Sequence, residues 1–335
     1  MKLIELASFE VAHEHISWPW VAFDASGQRF AFCTSKSRIA TRVVSDGAVT
    51  HGPTFTLPAD IALHSFTLDA GGTLLAAVGN AGDAAAAEGA TGAGLLVTLD
   101  ADGKELHRSS IDSLVAAGFL AQAVAFDRGG NRLWISTESP TETALLLLDA
   151  RTHATLGVVR GGAFPPPAMH ELTLHPTEDA VLVLAACGED GTFARVARWA
   201  GDRLEAVKTA LDDGSIPAGL VGFSTDGARV HLAEADELRT HAWPGLQELS
   251  SVEFADDFVS SFAGAILGER ILVDGEDSEA HEDAVMVFDA SALRGKLAFP
   301  PVPTGMWAGR LGETMLVTVE AKGEPSRGRV LRVAD

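Results

Sequence analysis

Three polar side chains recur at one place in the pattern of this chain. His64, Gln122 and His170 each stand four residues before an apolar position (Leu68, Phe126, Leu174) that leads into a tight turn. If equivalent positions of a repeat are gathered about an axis, these groups converge, and converging imidazoles bind a divalent metal or act as general acid and base. Glu171 follows His170 directly, and His13 or His15 can enter from the segment before Trp18. The candidate catalytic residues are therefore His64, His170 and Glu171, and the candidate metal ligands are His64, His170 and His15. Zinc or calcium is the ion such a site would take, although no cofactor is required by any motif. The bland alternative is that these groups hydrogen-bond neighbouring elements.

Carboxylates form a second set. Glu138, Glu142, Glu189, Asp190, Glu234, Asp236, Glu320 and Glu324 fall in connections between apolar strands, and Asp274, Glu276, Asp277, Glu279, Glu282 and Asp283 surround His281. Such a run is solvated and mobile by default, and as a site it would dock a basic protein or hold calcium weakly. Indoles complete the inventory: Trp18 and Trp20 flank Pro19, and Trp307 lies in a corresponding stretch near the other end. Indole rings stack on sugars, flat ligands or peptides. The candidate binding residues are Trp18, Trp20, Gln122, Glu138, Glu234, Trp307 and Glu320.

Familiar catalytic patterns fail on spacing. His170-Glu171 opens like a zinc-protease motif, but Leu174 stands where the second histidine belongs and the segment reads as a strand. Gly222-Phe223-Ser224-Thr225-Asp226-Gly227 is one residue too long for a nucleophile elbow. Gly89 to Gly94 is glycine-rich, yet no helix follows to present its amino terminus to a phosphate.

The elements that must position these groups come from one recurring phrase: an apolar strand, a turn with glycine, and a second apolar strand. Val21 to Phe32 is the clearest copy. It returns at Phe66 to Leu75, Val124 to Ile135, Leu172 to Leu184, Val221 to Leu232, Phe262 to Val273 and Met306 to Val317. The turn residue reads Gly27, Gly72, Gly130, Glu178, Gly227, Gly268 and Gly312, and Asp24, Asp69, Asp127 and Asp226 supply side-chain acceptors. Third strands follow, then turns such as Asp46-Gly47, Asp102-Gly103, Gly201-Asp202 and Pro244-Gly245, each leading into a fourth strand. Four strands per repeat predict an all-β, seven-bladed β-propeller of four-stranded antiparallel blades, with residues 1–335 as a single domain. The seventh repeat ends on its third strand, so residues 2–9 are expected to complete its blade and close the ring.

Residues 126–162, FDRGGNRLWISTESPTETALLLLDARTHATLGVVRGG, resemble the bacterial propeller repeats named for a Tyr-Val-Thr-Asn motif (YVTN repeats), related in shape to WD40 repeats. Third strands ending in an apolar residue plus Asp (Leu99-Asp100, Leu148-Asp149, Phe288-Asp289) are similar to the Trp-Asp ending, which itself is absent. The resemblance implies the fold. It leaves function open among scaffolds, lactonases, lyases and dehydrogenases.

Composition narrows the partners. With 25 Lys+Arg against 46 Asp+Glu the formal charge is −21, and basic residues form no stripe, so nucleic acid and anionic membrane surfaces are disfavoured. Tyrosine is absent, which removes every mechanism built on a phenol. Cys33 and Cys187 sit in apolar runs and read as inert buried thiols. The Met1-Lys2-Leu3-Ile4-Glu5 start carries no signal sequence, so a cytoplasmic location is expected. The leading expectation is a monomeric platform that binds a basic protein or peptide through an acidic top face. The alternative is a lactonase-like hydrolase or lyase with a histidine-lined site at the central channel mouth, taking a small neutral ligand.

Overall fold

The computed structural model describes residues 2–12, 21–24, 27–45, 47–81, 94–165, 168–211, 218–254, 257–279, 282–289, 297–298, 306–311, 315–320 and 326–334. β1 (Lys2–Val11) opens the chain. Six four-stranded sheets then follow, each made of four consecutive strands. The first blade is β2 (Val21–Phe23), β3 (Arg29–Ser35), β4 (Arg38–Ser45) and β5 (Ala48–Thr56); the second is β6 (Ile61–Leu68), β7 (Leu74–Ala81), β8 (Gly94–Asp100) and β9 (Glu105–Ser110). A short helix, α1 (Ile111–Leu114), precedes the third: β10 (Leu120–Phe126), β11 (Arg132–Glu138), β12 (Glu142–Asp149) and β13 (Thr155–Gly162). The fourth is β14 (Met169–Leu174), β15 (Ala180–Ala186), β16 (Thr192–Trp199) and β17 (Leu204–Val207). The fifth is β18 (Gly219–Phe223), β19 (Arg229–Ala233), β20 (Glu237–Ala242) and β21 (Glu248–Glu253). The sixth is β22 (Phe258–Leu267), β23 (Arg270–Asp277), β24 (Glu282–Asp289) and β25 (Leu297–Ala298).

A further four-stranded sheet is composite. Its order is β1, β28 (Ser326–Ala334), β27 (Met315–Glu320) and β26 (Met306–Leu311). β1 pairs antiparallel with β28 from Lys2↔Ala334 to Val11↔Ser326, with a bulge between Glu5 and Ala7. The expectation of seven like blades is corrected to this extent: six blades are contiguous, and the remaining sheet joins three strands from one end of the chain to one from the other. The joining strand also runs two residues beyond the expected 2–9, because Phe9 and Val11 are both buried, Phe9 lying 4.2 Å from Phe32 and 5.2 Å from Phe30. Innermost strands sit side by side, β6 touching β2 and β10, β22 touching β18 and β26, and β26 touching β2.

The core lies between blades. One apolar cluster joins Ala76 and Leu96 of the second blade to Leu133 and Leu146 of the third, and another joins Leu182 and Val196 of the fourth to Leu220 and Leu232 of the fifth. That geometry accounts for the run Ala144 to Leu148: β12 is covered on both faces, so it carries no polar alternation, whereas the outermost β13 alternates exposed with half-buried residues. Each fully buried aliphatic side chain there contributes about 1.5–3 kcal/mol.

The repeat turn works as its residue types imply. Gly27, Gly72, Gly130, Gly227 and Gly268 all adopt positive φ between 59° and 75°. Asp69 Oδ1 accepts the amides of Thr73 and Leu74, at 2.6 and 2.7 Å, and Asp24 and Asp127 do the same in their turns. In the fourth blade the turn glycine is missing and His175 takes the aspartate's place, its Nδ1 accepting the amides of Thr177 and Glu178. Asp226 accepts the Ala228 amide, while Gly312 lies outside the described residues. Cys33 and Cys187 are buried, as expected, and burial pushes the Cys187 thiol up to about 11. No helix among the described residues is long and apolar enough to cross a membrane.

Candidate functional site

Innermost strands carry the predicted residues, and bulges decide where each one falls. In β6 the pairing jumps from Leu63↔Gly79 to Ser65↔Val78, and in β10 from Ala121↔Thr137 to Ala123↔Ser136. His64 and Gln122 are thus the extra residues of two matching bulges. β14 has no bulge: it pairs continuously from Met169↔Ala186 to Leu174↔Val181, with His170 opposite Ala185. Counted along the ladder from the shared apolar position, His170 corresponds to Leu63 and Ala121. The expected alignment of three polar groups is therefore corrected to two, because a one-residue bulge shifts everything before it by one step.

The two imidazoles are not brought together by any shared contact. His64 is half-buried, its Nε2 accepts from Asn80 Nδ2 at 3.1 Å, and burial lowers its pKa, favouring the neutral ring. Glu171 neighbours His170 on a strand, so its side chain leaves by the opposite face; burial pushes its carboxyl up to about 7. His13, His15, Trp18, Trp20, Glu324 and His281 lie outside the described residues, and the side chains of Trp307 on β26, Glu320 on β27 and Glu189 do as well.

His170 has a distinct setting. It is buried, its Nδ1 lies 2.7 Å from Ser136 Oγ and its Nε2 lies 3.3 Å from Glu138 Oε2. Phe164 packs edge-on against the ring at 5.1 Å. A carboxylate only accepts, so the proton belongs on Nε2 and the Ser136 hydroxyl donates to Nδ1. At 3.3 Å this approach is a charge contact and not a hydrogen bond, and Nε2 is buried without a hydrogen-bond partner. Ser136 and Glu138 come from β11, and Phe164 from the connection after β13, so the third and fourth blades build this group jointly. An imidazole held this way can take a proton from the hydroxyl while the carboxylate stabilises the resulting cation.

Beside it a cavity of about 480 Å³ opens between the same two blades. Ser136, Thr143, Phe164, Arg160, Arg195 and Lys208 line it with Val159, Val183 and Val207, and no lining residue is acidic. The outer strands touch at one end, where a Cβ on Gly157 would stand 2.6 Å from Leu204 Cβ, and part towards Arg160 and Lys208. None of these basic residues is marked by a motif; their only trace in the sequence is that Arg160 lies near the end of one fourth strand and Lys208 directly follows another, in an otherwise acidic chain.

Some of the carboxylates are held by cations and others are exposed at the surface. Glu142 pairs with Arg160 Nη1 at 2.7 Å. Glu234 is buried with Arg239 Nε 3.0 Å from its Oε1; burial pushes its carboxyl up to about 7, with the guanidinium opposing. Glu234, Asp236 and Glu237 place one oxygen each within 4.8 Å of one another, but Arg239 Nε also donates to Glu237 Oε1 at 2.7 Å, so a guanidinium already supplies the positive charge there. Asp190, Asp236, Glu276 and Glu279 are exposed. Gln122 is half-buried in its bulge.

No family model and no curated protein matches the chain. Among solved structures, the β-propeller domain of Cps50 (Swd1) from Myceliophteria thermophila superposes on 99% of this chain and 100% of its own at a TM-score of 0.61, with 12% sequence identity. At that identity the likeness shows the β-propeller fold alone.

Proposed function

We propose that this chain is a protein-binding platform that engages a basic protein or peptide along one arc of its rim, from the fourth blade to the sixth. One observation carries the reading. Connections between second and third strands all emerge at the same end of a propeller of this topology, and in three successive blades exposed carboxylates lie in them or directly beside them: Asp190, Asp236, and Glu279 with Glu276 near the end of β23. Glu138 and Glu234, expected to belong to this surface, turn instead to His170 and Arg239. Exposed charges of this kind accelerate and orient association and are screened by salt, while each contributes modestly to affinity. A WD40-like propeller is consistent with such a role.

Fluorescence anisotropy with a labelled oligolysine peptide tests it. The triple variant Asp236→Asn/Glu276→Gln/Glu279→Gln is expected to weaken binding about 10-fold at low salt. Asp102→Asn/Asp202→Asn, in exposed turns at the opposite end, is expected to leave it unchanged. Equal losses in both variants would mean that net charge alone attracts the peptide.

The second reading is acyl transfer, favoured by the Ser136, His170 and Glu138 arrangement at the cavity. Ser136 Oγ would attack an ester carbonyl as its proton passes to His170 Nδ1; collapse would break the bond to the leaving oxygen, which takes that proton. Water would then release the acyl group. Hydrolysis of p-nitrophenyl acetate that is lost in Ser136→Ala supports this reading, and identical rates in both proteins discard it.

A further inference from the structure

We propose that the wedge between the third and fourth blades is a binding site for a small organic anion carrying an apolar ring, such as an aryl phosphate or aryl carboxylate. This site is distinct from the acidic arc and of opposite sign. Its volume of about 480 Å³ falls within the roughly 300–1,000 Å³ of small-molecule sites. Three cationic side chains, Arg160, Arg195 and Lys208, line it and no carboxylate does, in a chain of net charge −21. Screening limits the reach of distant charges to about 8–10 Å, so the local cations set the sign of the ligand.

The roles of the three differ. Arg195 lies over the Phe164 ring at 4.9 Å, so a flat cation and an aromatic face meet at the wall. Gly161 keeps that wall accessible: a Cβ there would stand 3.0 Å from Arg195 Nε and 3.2 Å from Thr143 Oγ1. Arg160 is partly committed, with Nη1 on Glu142 and Nη2 donating to the Val115 carbonyl at 3.2 Å, so it contributes charge at the rim. Lys208 is exposed and forms no ion pair among the described residues, leaving its ammonium to meet the ligand. The hydroxyls add little as donors, since Thr143 Oγ1 already donates to the Gly162 carbonyl and Ser136 faces His170. An anion is therefore met by the Lys208 ammonium, with the partnered Arg195, whose Nη1 donates to the Ala194 carbonyl at 3.5 Å, adding positive charge at the wall, while valines 159, 183 and 207 take the apolar part.

Isothermal titration calorimetry of the full chain with phenyl phosphate decides the matter. The expected result is one saturable site, weakened about 10-fold by Lys208→Ala and by Arg195→Gln. Inorganic phosphate should bind more weakly for want of the ring, and neutral benzyl alcohol should give no saturable heat. Lys208 is exposed, so its variant reports on binding even if Arg195→Gln melts early. The triple variant of the acidic arc should bind phenyl phosphate like the parent, which separates failure here from failure of the platform. No saturable heat, undiminished affinity in Lys208→Ala, or equal binding of benzyl alcohol would overturn the proposal.

Discussion

The junction between the second and third blades and the junction between the third and fourth each hold a buried histidine, and the two are wired differently. His153, in the turn after β12, places Nε2 2.8 Å from Thr98 Oγ1 and Nδ1 3.0 Å from Ser109 Oγ, both on the neighbouring blade. A neutral imidazole and two hydroxyls satisfy one another completely, and desolvation, with His107 edge-on at 4.5 Å, lowers the His153 pKa to about 4. His170 has one hydroxyl, one carboxylate at a longer distance, and a cavity alongside. One junction is a closed staple. The other keeps a polar chain that ends at an open space, and that difference separates a histidine that holds blades together from one that can serve a ligand.

The largest effect should fall on the staple. His153→Ala leaves two buried hydroxyls without their partner and creates a void, so it is expected to lower stability by about 4 kcal/mol in urea denaturation; a loss near zero would erase the contrast. Next comes acid. His153 and His231 both titrate near 4 when folded and near 6.5 when unfolded, so the unfolded chain gains protons first and stability falls as pH drops from about 6.5 towards 4. Each site contributes on the order of 3 kcal/mol to that fall, and His153→Gln should flatten part of the acid limb of a melting profile.

Glu171 works in the other direction. Its folded carboxyl keeps its proton to about pH 7 while the unfolded one releases it near 4.5, so stability is lost as pH rises between those values. Glu171→Gln should therefore stabilise the protein by roughly 2 kcal/mol at pH 8 and hardly at all at pH 4.5. A gain independent of pH would point to packing instead of charge. The smallest effect belongs to the open junction: Ser136→Ala should cost about 1 kcal/mol, well below His153→Ala, and parity between the two would make His170 a second staple.

Strand order, turn glycines and the aspartate acceptors were legible in the sequence because each is local: Asp69 reaches Thr73 and Leu74 within its own turn. The junction chemistry was not, since Thr98 and His153 are 55 residues apart and Ser136 and His170 are 34 apart. Bulges defeat counting for the same reason. The extra residue at His64 and Gln122 is set by pairing across the strand, and no residue type in β14 announces that it lacks one. Glu138 and Glu234 read as surface acids because their partners, His170 and Arg239, are chosen by blade geometry and by a hairpin.

Hydrogen exchange of the full chain, with and without saturating oligolysine peptide, bears most directly on the platform reading. Protection confined to the connections at 188–190, 234–237 and 275–279 is the expected result. Protection at the opposite turns around Asp102 and Asp202, or none anywhere, would contradict it.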